Sequence, residues 1–402
     1  MIKKIKVQFL RTGMYVHDLN CDWMEHPFAN NRFLVGEHDI GRLNEWGIRE
    51  VYIDTARGLD VDESAAALTA EEVQQAINTR MQSIAAQPGP AAKVALREEL
   101  ERAEIICQEA NCVIQSLFLN ARLGKQVELE QVQPLVTTMA ASILRNPDAM
   151  LGLARIKRSD TYTFQHSVSV CALLIAFCQA LHLDSALVET VGVGGLLHDI
   201  GKMKISSSVL NKPGKLDDHE FALIKEHVVY GKRMLENMAG ISPVSIKVAA
   251  QHHERYDGLG YPHGLQGDDI SLYGHMAAIA DVYDALTSER IYHHGEAPTA
   301  VLHKLLEWSE DHFHPELVQH FIRVVGIYPV GTLVRLESGR LAVVMEQHHG
   351  DLLHPRVKII YSTRSKAFLP PQEIDLSLAG AGDRIVAFEP CEKWKIDPQR
   401  YA

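Results

Sequence analysis

Five stretches of this 402-residue chain carry histidine or aspartate where apolar side chains would be ordinary. LLHDIGK (196–202) sets His198 and Asp199 side by side at the end of a run of small and apolar residues. The apolar stretch before it, Tyr162–Leu181, carries His166. Glu226–His227 lie in the next helical stretch, His252–His253 in QHHERYDGLGYP, and Asp281 in HMAAIADVYDALTSER, with Asp284 one turn on. An aspartate among apolar residues is costly unless it is paired or bound to a cation. Imidazole and carboxylate donors together suit a borderline divalent metal. Calcium and magnesium prefer oxygen alone, and structural zinc wants a closed tetrahedral set. Singly, each fragment has an ordinary structural reading, such as a satisfied core histidine or a buried His–Asp pair. The ordered series His166, His198–Asp199, His227, His252–His253, Asp281 is what points to a metal centre.

The elements that must position these residues are helices. Residues 151–326 have a helical pattern almost throughout, broken by turn clusters at 211–215, 238–243 and 257–269. His198–Asp199 and His252–His253 fall at helix ends, with Gly201 read as a C-cap. Residues 1–62 read as a small α/β module: IKKIKVQFL as a strand, HDIGRLNEWG as a helix ending at Gly47, and REVYIDT as a strand. Residues 63–150 form a linker containing QPGPAAK and then a helical region. Its apolar residues, from Val94 to Phe118, describe either an antiparallel pair or a helix that dimerises the chain. Residues 327–402 read as a small β-rich extension. GTLVRLESGRLAVVMEQ is a hairpin turning at SGR, and PRVKIIYS and RIVAFE are further strands. The expected architecture is mainly α, with a small N-terminal α/β module and a small C-terminal β extension.

A net charge of −11 argues against a general nucleic-acid binder, which needs surplus Lys and Arg. It leaves room for a nucleotide held by a metal. Six cysteines without a CxxC pair read as buried thiols of a reducing compartment. No apolar run reaches membrane-spanning length, and MIKKIKVQFLR lacks the apolar core of a signal peptide. The expected location is therefore cytoplasmic. Two further histidine groups, His312–His314–His320 and His348–His349–His354, read as surface residues.

With these motifs in order, residues 154–325 resemble the HD superfamily of metal-dependent phosphohydrolases. HHERYDGLGYP followed by DVYDALTSER is similar to its HD-GYP subgroup. Residues 1–60 resemble the small uncharacterised domain that often precedes such domains. The resemblance implies an all-helical HD-type domain and a bacterial phosphodiesterase acting on cyclic dinucleotides, chiefly cyclic di-GMP. It implies Fe or Mn as metals. His166, His198, Asp199 and Asp281 would serve one ion, and His227, His252 and His253 the other, with Asp199 shared. Seven ligating residues suit two ions, leaving positions for a bridging hydroxide and two oxygens of one phosphodiester.

The expected reaction is in-line attack of that hydroxide on phosphorus, giving linear pGpG, with cleavage onward to GMP left open. Lys202 would steady the phosphate or protonate the departing sugar oxygen; its other reading is a helix-end cation near the C-terminal dipole. Arg290 would grip the second phosphate as a bidentate donor, or else be a solvated helix-end residue. Gly258 and Gly260 would let backbone approach a ligand. Tyr261 would pack on a guanine or pin the loop. Asp284 would orient a ligand histidine. Tyr162 stands where three-metal relatives carry Glu, which favours two metals. His293 stands where a Lys or Arg is usual, which weakens the second phosphate contact. His314 stands where Asp is common. Two other readings stay open: a non-catalytic module that binds the dinucleotide or docks a GGDEF protein through the GYP loop, and an HD hydrolase of another cyclic dinucleotide.

Overall fold

The structure is a computed structural model. It describes residues 1–21, 31–62, 66–87, 92–125, 127–154, 162–212, 214, 216–288, 295–309, 311–348, 350–378 and 380–401. The chain divides into two compact units, Met1–Gln82 with Asn211–Ala222, and Ser83–Leu210 with Leu223–Ala402.

The first unit is built on an antiparallel sheet of β1 (Ile2–Lys6), β2 (Tyr15–Asp18), β3 (Phe33–Leu34), β4 (Glu50–Asp54) and β5 (Ala67–Thr69), in the order β3-β2-β4-β1-β5. Helix α1 (Asp39–Glu45) stops before Gly47, whose φ of 67° is the left-handed turn the sequence calls for. Alternation in β4 buries Val51 and Ile53 against Ile5, Val16 and Leu43. The first expected strand is shorter than its pattern. After Lys6 the chain turns into a 3₁₀ segment, Val7–Phe9, whose Val7 N–H donates to the Arg49 carbonyl. Helix α2 (Ala70–Ala85) leads out of this unit.

The second unit begins with the 27-residue α3 (Leu96–Arg122), followed by α4 (Gln133–Arg145) and α5 (Pro147–Ala154). α3 buries one strip, Ala103, Ile106, Ala110, Ile114, Leu117 and Ala121, and packs on α4 and α5. The apolar residues from Leu96 to Phe118 thus fall in a single helix rather than in an antiparallel pair of their own. A buried Glu99 ties α3 to α4 by accepting from Arg145 Nε at 2.7 Å and from Ser142 Oγ at 2.8 Å. Around them lie α6 (Tyr162–Ala180), α7 (Ser185–Leu197), α8 (Ser207–Leu210), α9 (Asp218–Glu236), α10 (Pro243–Gln251), α11 (Leu272–Thr287), α12 (Pro298–Glu307) and α13 (Pro315–Val325). α6, α7 and α11 bury apolar residues on nearly every face, because each is surrounded by neighbours.

The C-terminal sheet runs β10-β6-β7-β8-β9, all antiparallel, from β6 (Leu333–Leu336), β7 (Arg340–Glu346), β8 (Arg356–Ser362), β9 (Ala367–Asp375) and β10 (Ile385–Phe388). A short α14 (Cys391–Trp394) follows. The hairpin turns at Gly339, φ 79°, as expected from SGR. β9 goes unread in the sequence because Pro370 and Pro371 break its pattern; it is an edge strand, where proline is tolerated. Gln347 joins this sheet to the helices, its N–H donating to Asp148 Oδ2 at 3.2 Å.

Two surface expectations need correction. His312 is 8% exposed, held beside Trp308 with ring centroids 5.6 Å apart. Cys112 is exposed, unlike the buried Cys171 and Cys178. It lies on the face of α3 turned from the core. Among the described residues no helix is long and apolar enough to cross a membrane.

Candidate metal centre

The ends and interiors of five helices converge on Asp199. His198 caps α7 and Asp199 follows it. α6 brings His166, α9 His227, the end of α10 His252 and His253, and α11 Asp281. His166, His198, Asp199, His227, His252 and Asp281 are each no more than 4% exposed, and the His253 side chain is 19% exposed. All seven residues of the expected ligand set thus meet in one place.

They meet as two groups. The donor atoms of His166, His198 and Asp199 lie within 4.8 Å of one another, and so do those of His227, His252 and His253. Asp199 faces both. Its Oδ2 is 3.7 Å from His166 Nε2 and 3.5 Å from His198 Nε2, while its Oδ1 is 3.4 Å from His227 Nε2 and 4.0 Å from His252 Nε2. Asp281 joins the first group through Oδ1, 2.9 Å from His166 Nε2. Its Oδ2 lies 3.9 Å from His253 Nδ1.

The imidazoles are oriented by hydrogen bonds made on their far side. His198 Nδ1 donates to the Gly195 carbonyl at 2.7 Å, His227 Nδ1 to Ile224 at 2.6 Å, and His252 Nδ1 to Ala249 at 2.8 Å. In each the acceptor is the carbonyl three residues earlier, so one local device fixes three rings. His166 Nδ1 donates instead to Asp284 Oδ2 at 2.6 Å, the role the sequence suggested for Asp284. With the proton committed to Nδ1, each Nε2 lone pair points into the cluster.

The fit to metal rests on what this leaves without a partner. His198 Nε2 and Asp199 Oδ1 are buried and make no hydrogen bond. Buried polar atoms are rarely left so, and an ion site is one of the few explanations. Electrostatics agree. Burial pushes His227 down to about 4 and His253 down to about 3, so these rings are neutral donors at pH 7. Burial also opposes charge on Asp199, but Lys202, His198 and His227 outweigh it and hold the carboxyl well below its usual range. For His198 the same burial is outweighed by Asp199 and Asp281, which raise it.

Lys202 Nζ donates to Asp199 Oδ2 at 2.5 Å, so it stands at the cluster rather than at a solvated helix end. It lies on a 3₁₀ segment, Ile200–Lys204. That segment corrects the reading of Gly201, which is not a left-handed helix cap. A Cβ there would collide with the His227 carbonyl and the Gly231 nitrogen; glycine is needed because the segment after His198–Asp199 and the helix bearing His227 touch backbone to backbone.

The loop after His253 is held by side chains that the sequence reading passed over. Buried Glu254 accepts from the backbone N–H groups of His263 at 2.8 Å and Leu265 at 2.9 Å. Arg255 Nη2 donates to Asp257 Oδ2 at 2.8 Å. Charged residues packed into ERYD beside a glycine turn were the available signal. Gly258 has φ 80°. Gly260 permits a close approach, but to the backbone at Glu254–Arg255. Tyr261 donates its N–H to the His253 carbonyl at 3.0 Å and stacks its ring on His253 at 4.6 Å, 25° from parallel. Lys225 Nζ lies 5.0 Å from the same ring. Of its two readings, the tyrosine that pins its loop is the one that matches this packing. Arg290 and His293 lie outside the described residues, as does the side chain of Tyr162. His314 packs at 5.5 Å from the rings of Tyr256 and His275.

Comparison with known proteins agrees with the site. Residues 138–317 match the HD domain, and residues 2–132 match a domain of unknown function, DUF3391. The cyclic di-GMP phosphodiesterase PA4108 of Pseudomonas aeruginosa is 46% identical over 98% of this chain and 94% of its own. A 3'3'-cGAMP-specific phosphodiesterase 2 of Vibrio cholerae is 44% identical over 31% of this chain and 24% of its own. A cyclic di-GMP phosphodiesterase of the same organism is 35% identical over 52% of this chain and 42% of its own. The chain belongs to the HD-GYP family of HD-domain hydrolases. It carries the His/Asp cluster that divalent metals require in that family.

Proposed function

We propose that the chain is a metal-dependent phosphodiesterase that hydrolyses cyclic di-GMP to linear pGpG, with GMP as the further product to be sought. One observation carries the reading. Asp199 turns one oxygen to each of two donor groups, while His198 Nε2 and Asp199 Oδ1 are buried without hydrogen bonds. The full-length similarity to the Pseudomonas aeruginosa cyclic di-GMP phosphodiesterase supports the substrate.

In this reading His166, His198, Asp199 and Asp281 hold one divalent ion and His227, His252 and His253 the second, with Asp199 shared. Fe or Mn are the ions we expect. When bound they supply a nucleophile at neutral pH and offset negative charge on the phosphoryl oxygens. The protein does the rest. The three backbone carbonyls and Asp284 keep the rings aimed before substrate arrives. Lys202, already within reach of Asp199, is placed to bind a phosphoryl oxygen and to give a proton to the leaving sugar oxygen. Arg290 and His293 are the proposed contacts for the second phosphate, with Gly260 and Tyr261 shaping the loop beside it. The chain divides functionally into an N-terminal module (1–62), a helical region (63–150), the catalytic domain (151–326) and a β-rich extension (327–402). A cytoplasmic location, a GGDEF-domain partner at the GYP loop and a homodimer through the helical region belong to the same reading.

A second substrate reading has one observation in its favour. The Vibrio cholerae 3'3'-cGAMP-specific relative is 44% identical over the 124 residues it shares. The test is anaerobic purification, metal analysis per chain, and competition of cyclic di-GMP against 3'3'-cGAMP followed by chromatography. About two metals per chain and preferential loss of cyclic di-GMP are expected. Faster loss of 3'3'-cGAMP transfers the proposal to that substrate. Three metals overturn the inference from Tyr162, and no turnover of either substrate by metal-loaded protein overturns the hydrolase reading.

A further inference from the structure

α3 is apolar on two faces. One is buried in the helical body; on the opposite face Ile105 is 66% exposed, Leu119 58% and Leu123 66%, with the exposed Cys112 between them. Ile105, Cys112 and Leu119 are seven residues apart, so they lie in one line along two turns each. The line is symmetric: Ile105 stands as far before Cys112 as Leu119 stands after it. Its flank is not symmetric in charge. Glu101 and Glu104 lie towards the N-terminal end, and Arg122 at the C-terminal end.

These two properties select an occupant. A second copy of α3 laid antiparallel, with its two-fold axis at Cys112, sets Ile105 against Leu119 twice over. It also sets Glu101 and Glu104 of each helix beside Arg122 of the other, and Arg102, on the opposite flank, beside Asn120. A parallel copy would instead set Glu104 of each helix beside Arg102 of the other, a cation that Glu99 already holds, and would leave Arg122 beside Asn120. We infer that the chain forms a homodimer through an antiparallel α3 pair centred on Cys112. This deepens the homodimer reading above and does not depend on the substrate. Helix α3, about 40 Å long at 1.5 Å per residue, offers a contact long enough for a specific pairing.

The test uses the full-length chain. Light scattering after size exclusion is expected to give a dimer in the micromolar range. A short-spacer bismaleimide is expected to link two chains, and Cys112→Ser to abolish the link. Ile105→Lys combined with Leu119→Lys should weaken association at least tenfold without changing the helical content read by circular dichroism. Orientation is read in the Cys112→Ser background. Chains carrying Ile105→Cys should link to chains carrying Leu119→Cys, and neither should link to itself. Self-linking of each variant would mean a parallel pair and overturn the proposal. A dimer that Cys112 does not link and the lysine variants do not weaken overturns this interface while leaving a homodimer through another surface. A monomer overturns both, and slow reaction of its Cys112 with a monofunctional maleimide would mean that the strip is covered within the chain.

Discussion

The two halves of the centre are built from different materials. Around His166 and His198 stand three carboxylates, Asp199, Asp281 and Asp284, and burial fails to keep His198 from being raised. Around His227, His252 and His253 the orienting groups are neutral backbone carbonyls and a tyrosine ring, and burial lowers all three histidines. The first half has fixed negative charge with which to attract a cation. The second depends on imidazole lone pairs, on the oxygen that Asp199 turns to it, and on Asp281 Oδ2 at 3.9 Å from His253 Nδ1. We therefore expect the first ion to bind more tightly than the second, and the second to be the one lost first to chelators or acid.

Asp199 is the residue on which this contrast depends, and removing it has the largest effect. Asp199→Ala is expected to remove both ions and lower turnover at least ~10³-fold, the loss of several kcal/mol at 1.36 kcal/mol per decade. Metal analysis and single-turnover assays check this; retention of one full-strength ion would show that the halves are independent.

Acid should act next, and on the second half. His227 is lowered to about 4 by burial, from 6.5. The unfolded chain therefore takes up the proton first as pH falls. Stability that is whole above pH 6.5 is lost as pH drops towards 4, on the order of 2–3 kcal/mol from such a shift. Thermal melts of metal-free protein between pH 7 and 4.5 measure it, and His227→Gln should flatten the slope. Bound metal should lessen it near neutrality and be released as the pH falls.

Asp284→Asn should act on the first half alone, lowering affinity for that ion about 10- to 100-fold, as partners of ligand histidines commonly do. Titration with Mn followed by calorimetry separates it from an effect on the second ion. The smallest effect is expected at Tyr261. Tyr261→Ala should remove about 1 kcal/mol of ring packing on His253, roughly fivefold in affinity for the second ion, while Tyr261→Phe should leave it unchanged. Equal loss in both variants would mean that the hydroxyl, not the stacked ring, is what matters.

Much of this cluster is readable without coordinates, because its residues are rare types in helices that are otherwise apolar. An aspartate such as Asp281 within AAIADVYDAL has little structural excuse. The strands of β4, β6 and β7 are legible for a similar reason: their alternation has period two. What stays hidden is whatever the main chain does. The carbonyls of Gly195, Ile224 and Ala249 orient three rings, yet any residue type there supplies a carbonyl. Gly201 looks like a helix cap because glycine often is one; its real neighbour, His227, comes 26 residues later. β9 is masked by two prolines that only an edge strand accepts. His312 and Cys112 are misjudged in opposite directions, since local polarity says little about which helix face meets the body.

The contact at Gly201 has a consequence for metal choice. His198–Asp199 and His227 are carried on two stretches of main chain that touch at Gly201 and Gly231, with no side chain between them to yield. The separation of the two ligand groups is thus set by van der Waals contact of backbone atoms. Ions that differ in radius must be accommodated by tilting imidazoles against their carbonyl tethers, because the gap itself is incompressible. Such a centre discriminates between metals by fixed spacing, and a single methyl group at position 201 would change that spacing without altering any ligand.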